Sequence, residues 1–231
     1  MTTESSKGSK ELGGHPHWHR TNKGEHRTPV VIVVLLVILL QYFLPNELSF
    51  RFQHQICYLE AFFTFALIIL SPTRINKHHT PSRVISLILT SLMTLSNTAS
   101  AFLLISLLVS GTTHDPNHLL LSGGTIWVTN IIIFSLWFWD LDRGGPGARA
   151  EAINKHPDFI FPQMSDPHYA PNTWHPNFFD YLYTSFTNAS AFSPTDVLPL
   201  TRWAKMLMLV QSLTSLLTVG LIVARAVNIL H

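Results

Sequence analysis

Seven consecutive residues, Ser190-Ala191-Phe192-Ser193-Pro194-Thr195-Asp196, gather three hydroxyls and a carboxylate into one short turn. Oxygens held that close together can stand in for part of a cation's hydration shell. Further on, Gln211, Thr214, Ser215 and Thr218 recur at i, i+3, i+4 and i+7, which puts all four on one face of a helix. On a helix otherwise made of Leu, Val and Ile, such a stripe suits a wall facing water. The four are therefore expected to line a cavity beside the turn. The alternative is hydrogen bonding between helices inside a dry bundle. Arg225 continues the stripe. In a symmetric pore it would form a positive ring that repels cations, unless it snorkels to the boundary or pairs with an acid.

The turn needs two helices to hold it. Before it, Phe178, Phe179, Tyr181, Leu182, Phe186 and Ala189 spread apolar surface around about three helical turns. Pro176 is tolerated in a first turn, and Asn177 or His175 is placed to cap it. A helix this short cannot span a membrane. It can stop halfway and pass the chain to the polar turn, from which Asp196 and Pro199 lead back to the surface. Trp203 is then an interfacial anchor, with Arg202 and Lys205 at head-group level. Irregular backbone at membrane depth is tolerated only where protein buries it or water reaches it, so a re-entrant segment here implies a solvated path. A helix lying flat on the membrane would carry basic residues along one face, yet residues 176–196 contain no Lys or Arg.

The rest of the chain is apolar enough to hold such a segment. Of its 231 residues 47% are hydrophobic and 12% charged, where a soluble domain carries about 25% charged residues. The apolar residues fall in blocks of about 17–25, the length that crosses roughly 30 Å of hydrocarbon. Crossings are expected at about 29–45, 55–71, 82–110, 119–139 and 200–230. The second is weakened by Glu60, and the third is threaded with Ser91, Thr94, Ser96, Asn97, Thr98 and Ser100. The fourth ends in Trp137, Phe138 and Trp139, read as an aromatic belt at a membrane boundary. In the last, Gly220 is either a bend or a packing site. The first block follows a basic tail but precedes no small-x-small cleavage site, so it is kept as a membrane anchor. The expected fold is all-α: about five transmembrane helices plus one re-entrant helix before the last. Residues 1–28 form a disordered basic, His-rich tail, 29–139 a four-helix membrane region, 140–175 a long polar loop, and 176–231 the short helix, turn and last crossing.

Sorted by side, thirteen Lys and Arg fall with the tail, the 72–83 and 140–175 loops and the Arg202–Lys205 pair, against two on the other side. The positive-inside rule then places the mouth of the polar turn in the cytoplasm.

The segment from Ser185 to Lys205 resembles the pore region of the potassium-channel superfamily, where a pore helix leads through Thr-x-Gly-Tyr-Gly-Asp into Asp-x-x-Pro-x-Thr-x-x-x-Arg and an inner helix. Ser190, Asp196, Pro199, Thr201 and basic Lys205 carry the match over about 30 residues. Across its last four crossings the chain is also similar to an uncharacterised family of small bacterial membrane proteins. The resemblance implies a pore-loop channel subunit. Ala191 replaces the family's filter threonine, and Ser193 and Thr195, with Pro194 between them, replace its glycines. Glycine permits the left-handed backbone that turns successive carbonyls inward, whereas proline fixes φ near −65° and extends the residue before it. A four-ring potassium filter should not form. The expectation is a cation pore of weak selectivity lined by Ser193, Thr195 and Asp196. Potassium channels open this loop to the outside, opposite to the side that the charge count gives.

One pore loop cannot enclose a channel, so a homo-oligomer, tetramer first, is expected. Its partners are inorganic ions and the lipid bilayer of a cell membrane, taken as a bacterial cytoplasmic membrane. Nucleic acid, cofactors, structural metal and enzymatic activity are not expected. The sequence holds no Walker loop, Gly-x-Ser-x-Gly elbow, His-Glu-x-x-His or catalytic carboxylate pair. The lone Cys57 excludes an intrachain disulfide. His15, His17 and His19 are more often solvated than ligating, and His78-His79 is placed to meet anionic head groups. Two alternatives stand beside the channel. One is a non-conducting relative whose loop serves assembly or partner binding. The other is a small transporter, which the lack of an internal repeat disfavours.

Overall fold

The computed structural model describes residues 17–70, 74–75, 77–110, 116–166, 168–171, 173–192 and 196–230. Its long elements are all helices: α1 (Thr28–Tyr42), α2 (Gln53–Leu70), α3 (Thr80–Ser110), α4 (Pro116–Leu141), α7 (Phe178–Ala191) and α8 (Arg202–Leu230). Two short helices, α5 (Pro146–Ala150) and α6 (Pro162–Ser165), lie between α4 and α7. Four segments, Gln53–Leu70, Thr80–Ser110, Leu120–Gly144 and Arg202–Ala224, are long and apolar enough to cross a membrane. This is the architecture of an all-α membrane protein. α1 is equally apolar but has only 15 residues, about 22 Å of helix at 1.5 Å per residue.

α4 is the centre of the bundle and packs against α1, α3, α7 and α8. Ile131, Ile132, Ile133, Phe134, Leu136 and Phe138 are all buried along it. Near its other end, Gly123 admits α8: a Cβ there would overlap the Ile222 side chain. Gly220 has open space around it and is not the close-packing position. The outer surface of the helices is itself apolar. Leu35 and Leu39 on α1, Phe62 and Phe65 on α2, Phe102 and Val109 on α3, and Leu213 and Leu217 on α8 are all exposed. A monomer in water rarely shows a patch of this extent, whereas hydrocarbon solvates it without penalty.

One end of the bundle is polar and cationic. Arg27, just before α1, donates to the Leu67 carbonyl in the last turns of α2, and Ser86 near the start of α3 donates to Asp140 at the end of α4. α8 starts at the same end, where Trp203 Nε1 donates to Asp158 Oδ1. The basic segments sorted to one side by sequence therefore meet in space.

Several expectations change here. Trp139 and Phe138 are not a lipid-facing belt; they are 2% and 0% exposed. Trp139 Nε1 donates to Glu25 Oε2 at 2.7 Å, and Trp137 Nε1 donates to Thr94 Oγ1 at 2.9 Å. A buried indole N–H needs a partner, and these partners come from elements remote in sequence. Residues 17–27, expected within a disordered tail, pack onto the 140–175 segment. There Trp18 lies under the Arg143 guanidinium, 5.3 Å from its ring centre. β1 (Glu25–His26) also pairs antiparallel with β2 (Arg74–Ile75). The 140–175 segment is itself structured: α5 is buried throughout. β3 (Phe159–Ile160) pairs antiparallel with β4 (Leu198–Pro199).

Candidate functional site

α7 starts with a capping box. Asn177 Oδ1 accepts from the Phe179 N–H at 3.0 Å, and Asp180 Oδ2 accepts from the Asn177 N–H at 2.8 Å. Pro176 thus precedes the cap rather than occupying the first turn. The helix has 14 residues, about 21 Å, and ends at Phe192, whose φ of 57° lies in the left-handed region. Phe179, Tyr183, Phe186 and Ser190 face outward, while Tyr181, Thr184, Ser185, Asn188 and Ala189 are buried.

The buried face of α7 is tied to α8 and α4 by amides and hydroxyls. Asn188 Nδ2 donates to Gln211 Oε1 at 2.8 Å and to the Met208 carbonyl at 3.0 Å. Gln211 Nε2 donates to Ser185 Oγ at 2.6 Å and to the Ser185 carbonyl at 2.9 Å. Ser185 Oγ donates to the Ile131 carbonyl of α4 at 2.6 Å. Ser212 Oγ donates to Asn188 Oδ1 at 3.2 Å, and Asn130 Nδ2 to Ser215 Oγ at 3.1 Å. Every member of such a network must be satisfied for it to be tolerated at all, and here the three helices satisfy one another.

The sequence-selected residues separate accordingly. Gln211, Ser215 and Thr218 are 0%, 1% and 2% exposed, turned into their own chain. Gln211 and Ser215 bond to α7 and α4, and Thr218 bonds back to the Thr214 carbonyl. Thr214 is half-buried and bonds back to the Val210 carbonyl. Ser190, Ala191, Phe192 and Asp196 are exposed. Ser193, Pro194 and Thr195 lie outside the described residues, as do His15 and the side chain of Arg225.

At the polar end, the first turn of α7 meets a cluster that sequence spacing did not reveal. Tyr181 Oη donates to Asp142 Oδ2 at 2.6 Å. Asp142 Oδ1 accepts from the Asp158 and Phe159 N–H groups at 2.9 and 3.3 Å. Arg149, on α5, donates from Nη2 to Glu25 Oε1 at 2.8 Å and from Nη1 to the Trp139 and Asp142 carbonyls at 2.6 and 3.0 Å. Its guanidinium lies 5.0 Å from the Tyr181 ring centre. Burial works against its charge, but Tyr181, Glu25 and Asp142 more than offset this and hold it firmly protonated. Asp142 and Arg143, adjacent in sequence, form no ion pair with each other. Arg143 sits at φ 53°. Its N–H donates to Asp158 Oδ2, Nε to the Asn154 carbonyl and Nη1 to the Trp18 carbonyl.

Glu60, the acidic residue that weakens the second apolar block, has a second aspect in the fold. It lies mid-way along α2, is 0% exposed, and neither carboxyl oxygen meets a hydrogen-bond partner among the described residues. An ionisable group inside a membrane helix is a functional candidate by default. Nearby in the fold, Gln53 Nε2 donates to Ser96 Oγ at 2.9 Å and Gln41 Nε2 to the Met93 carbonyl at 3.3 Å.

No family model, curated protein or solved structure matches the chain.

Proposed function

We propose that this chain is a subunit of an oligomeric pore-loop ion channel, with α7 as a re-entrant helix and α1 as a fifth crossing. The observation that carries the reading is the placement of residues 177–192 and 196–199. They leave the polar end at Tyr181 beside Asp142 and run inward to Asn188 against Gln211. They return to the same end where Leu198–Pro199 pairs with Phe159–Ile160. A 14-residue helix cannot cross the bilayer, and its flanks are two segments that can. The exposed Ser190, Ala191, Phe192 and Asp196 at its inner end would meet an oligomer axis. Four copies, with Ser193, Thr195 and Asp196 as the turn, would offer hydroxyl and carboxylate oxygens to a cation of weakly discriminated kind. α1, short for a bilayer, would cross where the bilayer thins locally.

The test is ion flux into liposomes holding the purified protein, in K⁺, Na⁺ and Cl⁻ gradients, with Asp196→Asn alongside. Cation flux whose selectivity shifts in the variant supports the reading, and selectivity untouched by the variant counts against it.

A second reading is favoured by one observation. The polar stripe of α8 is turned into its own chain, which leaves Leu209, Leu213, Leu216 and Leu217 on its outer side. An axis lined by those residues would be dry. The chain would then keep the pore-loop shape for membrane assembly or partner binding, and show no flux in any gradient.

A further inference from the structure

Between residues 22–25 and residues 173–177 lies an open cleft of about 190 Å³, lined by Lys23, Glu25, Arg143, Arg149, His175 and Asn177 among others. Arg143 and Arg149 form its back wall and are 2% and 4% exposed. In each guanidinium two of the three nitrogens are engaged and the third is not. Arg143 Nη2 and Arg149 Nε are buried and meet no hydrogen-bond acceptor among the described residues, and His175 Nε2 is buried without a hydrogen-bond partner among them. Buried polar groups are almost always satisfied, and a buried charge needs a counter-charge. Arg149 has one in Glu25. Arg143 makes no direct ion pair among the described residues: its guanidinium meets two backbone carbonyls and the Trp18 ring, and Asp142 and Asp158 balance its charge only from a distance. The nearby carboxylates are already engaged, Asp142 by Tyr181 and two backbone N–H groups, Asp158 by Trp203 and the Arg143 N–H.

We infer that this cleft is a binding site for a phosphate-bearing anion. The chemistry fits part by part. A phosphate has several acceptor oxygens, and guanidinium is the side chain that matches them best. Arg143 Nη2 and Arg149 Nε each supply one donor, and Lys23 on the exposed rim adds a mobile charge. His175 Nδ1 faces the Thr173 carbonyl at 2.9 Å. With Nδ1 as the donor there, Nε2 of the neutral ring accepts from a protonated phosphate oxygen. On protonation it donates instead. Against these groups the cleft presents one carboxylate, Glu25, which Arg149 Nη2 already holds. The site is also connected to α7. Arg149 stacks on Tyr181, the Tyr181 hydroxyl holds Asp142, and His175 lies two residues before the helix cap. An anion on Arg149 is thus one side chain from the first turn of α7. The site itself does not depend on whether the chain conducts.

The phosphate is either free or carried by a lipid head group, since the cleft opens at the polar end of the bundle; two probes distinguish these sources. The first is calorimetric titration of the full chain in neutral detergent with inorganic phosphate against chloride at matched ionic strength. The second is native mass spectrometry counting retained phosphatidic acid against phosphatidylcholine. Arg143→Gln risks loss of the fold, so the informative variant is Lys23→Gln with His175→Leu, both on the rim, checked for helix content. Saturable phosphate binding that weakens about tenfold in this variant supports a free anion. Selective retention of phosphatidic acid that the variant loses supports a lipid head group. Absence of both, or binding by either probe that the folded variant leaves unchanged, overturns the assignment.

Discussion

Asn188 and Gln211 meet at 2.8 Å, Nδ2 donating to Oε1, with both side chains buried between α7 and α8. Gln211 also donates to Ser185, so one glutamine joins two turns of α7 to α8. Gln211→Leu should remove the bonds to Asn188 and Ser185, whose donors keep only the Met208 and Ile131 carbonyls, and lower stability by about 1–2 kcal/mol. Thr214→Val, whose hydroxyl bonds only to the Val210 carbonyl, should stay within about 0.5 kcal/mol. Thermal unfolding in one detergent compares the two; equal losses would deny Gln211 its bridging role.

The same geometry predicts a labelling pattern. In a Cys57→Ala background, cysteines at positions 211 and 215 should resist a water-soluble thiol reagent, and one at 214 should react faster. Fast, equal labelling at 211 and 215 would put solvent into the seam and make the stripe a cavity wall.

Tyr181→Phe removes the 2.6 Å bond to Asp142 Oδ2 and leaves the packing unchanged. A hydrogen bond to a buried carboxylate contributes about 1.5–3 kcal/mol, so the variant should unfold earlier by that margin. If α7 positions a conduction path, flux should change along with stability. A variant that changes flux without a stability loss would refute the structural role.

Glu60→Gln should be neutral or stabilising. Both carboxyl oxygens are buried without a partner among the described residues, and a neutral amide of the same shape is less costly to bury than an ionisable group. A clear drop in Tm for Glu60→Gln would mean that the carboxyl has a partner in the membrane.

Phe192→Gly should stabilise by up to about 1 kcal/mol, because a left-handed φ of 57° penalises any residue with a Cβ and suits glycine at a helix end. The residue is 43% exposed, so the burial given up offsets part of this gain. Destabilisation instead would show that the ring packs against a neighbour, as it would at an oligomer contact.

What the sequence determined alone is what local physics controls. Five apolar blocks were expected to cross, and four of them form helices long enough to do so. Asn177 and the apolar residues from Phe178 to Ala189 marked the short helix, since capping and helix period act within a few residues. The charge count grouped the basic segments on one side, and contacts join those segments at one end. Tertiary structure alone decided what each face meets. Helical spacing put Gln211, Thr214, Ser215 and Thr218 on one stripe, but a stripe turned to water and one turned to another helix have the same period. The Trp137–Trp139 run has the same ambiguity, because lipid and protein interior are equally apolar and hydropathy does not distinguish them. Glu25 and Arg149 are separated by 124 positions, and no pattern in the chain pairs them. Only when α5 folds back over the end of α4 do the guanidinium, the carboxylate and the Tyr181 ring come together, because burying Arg149 there requires all three.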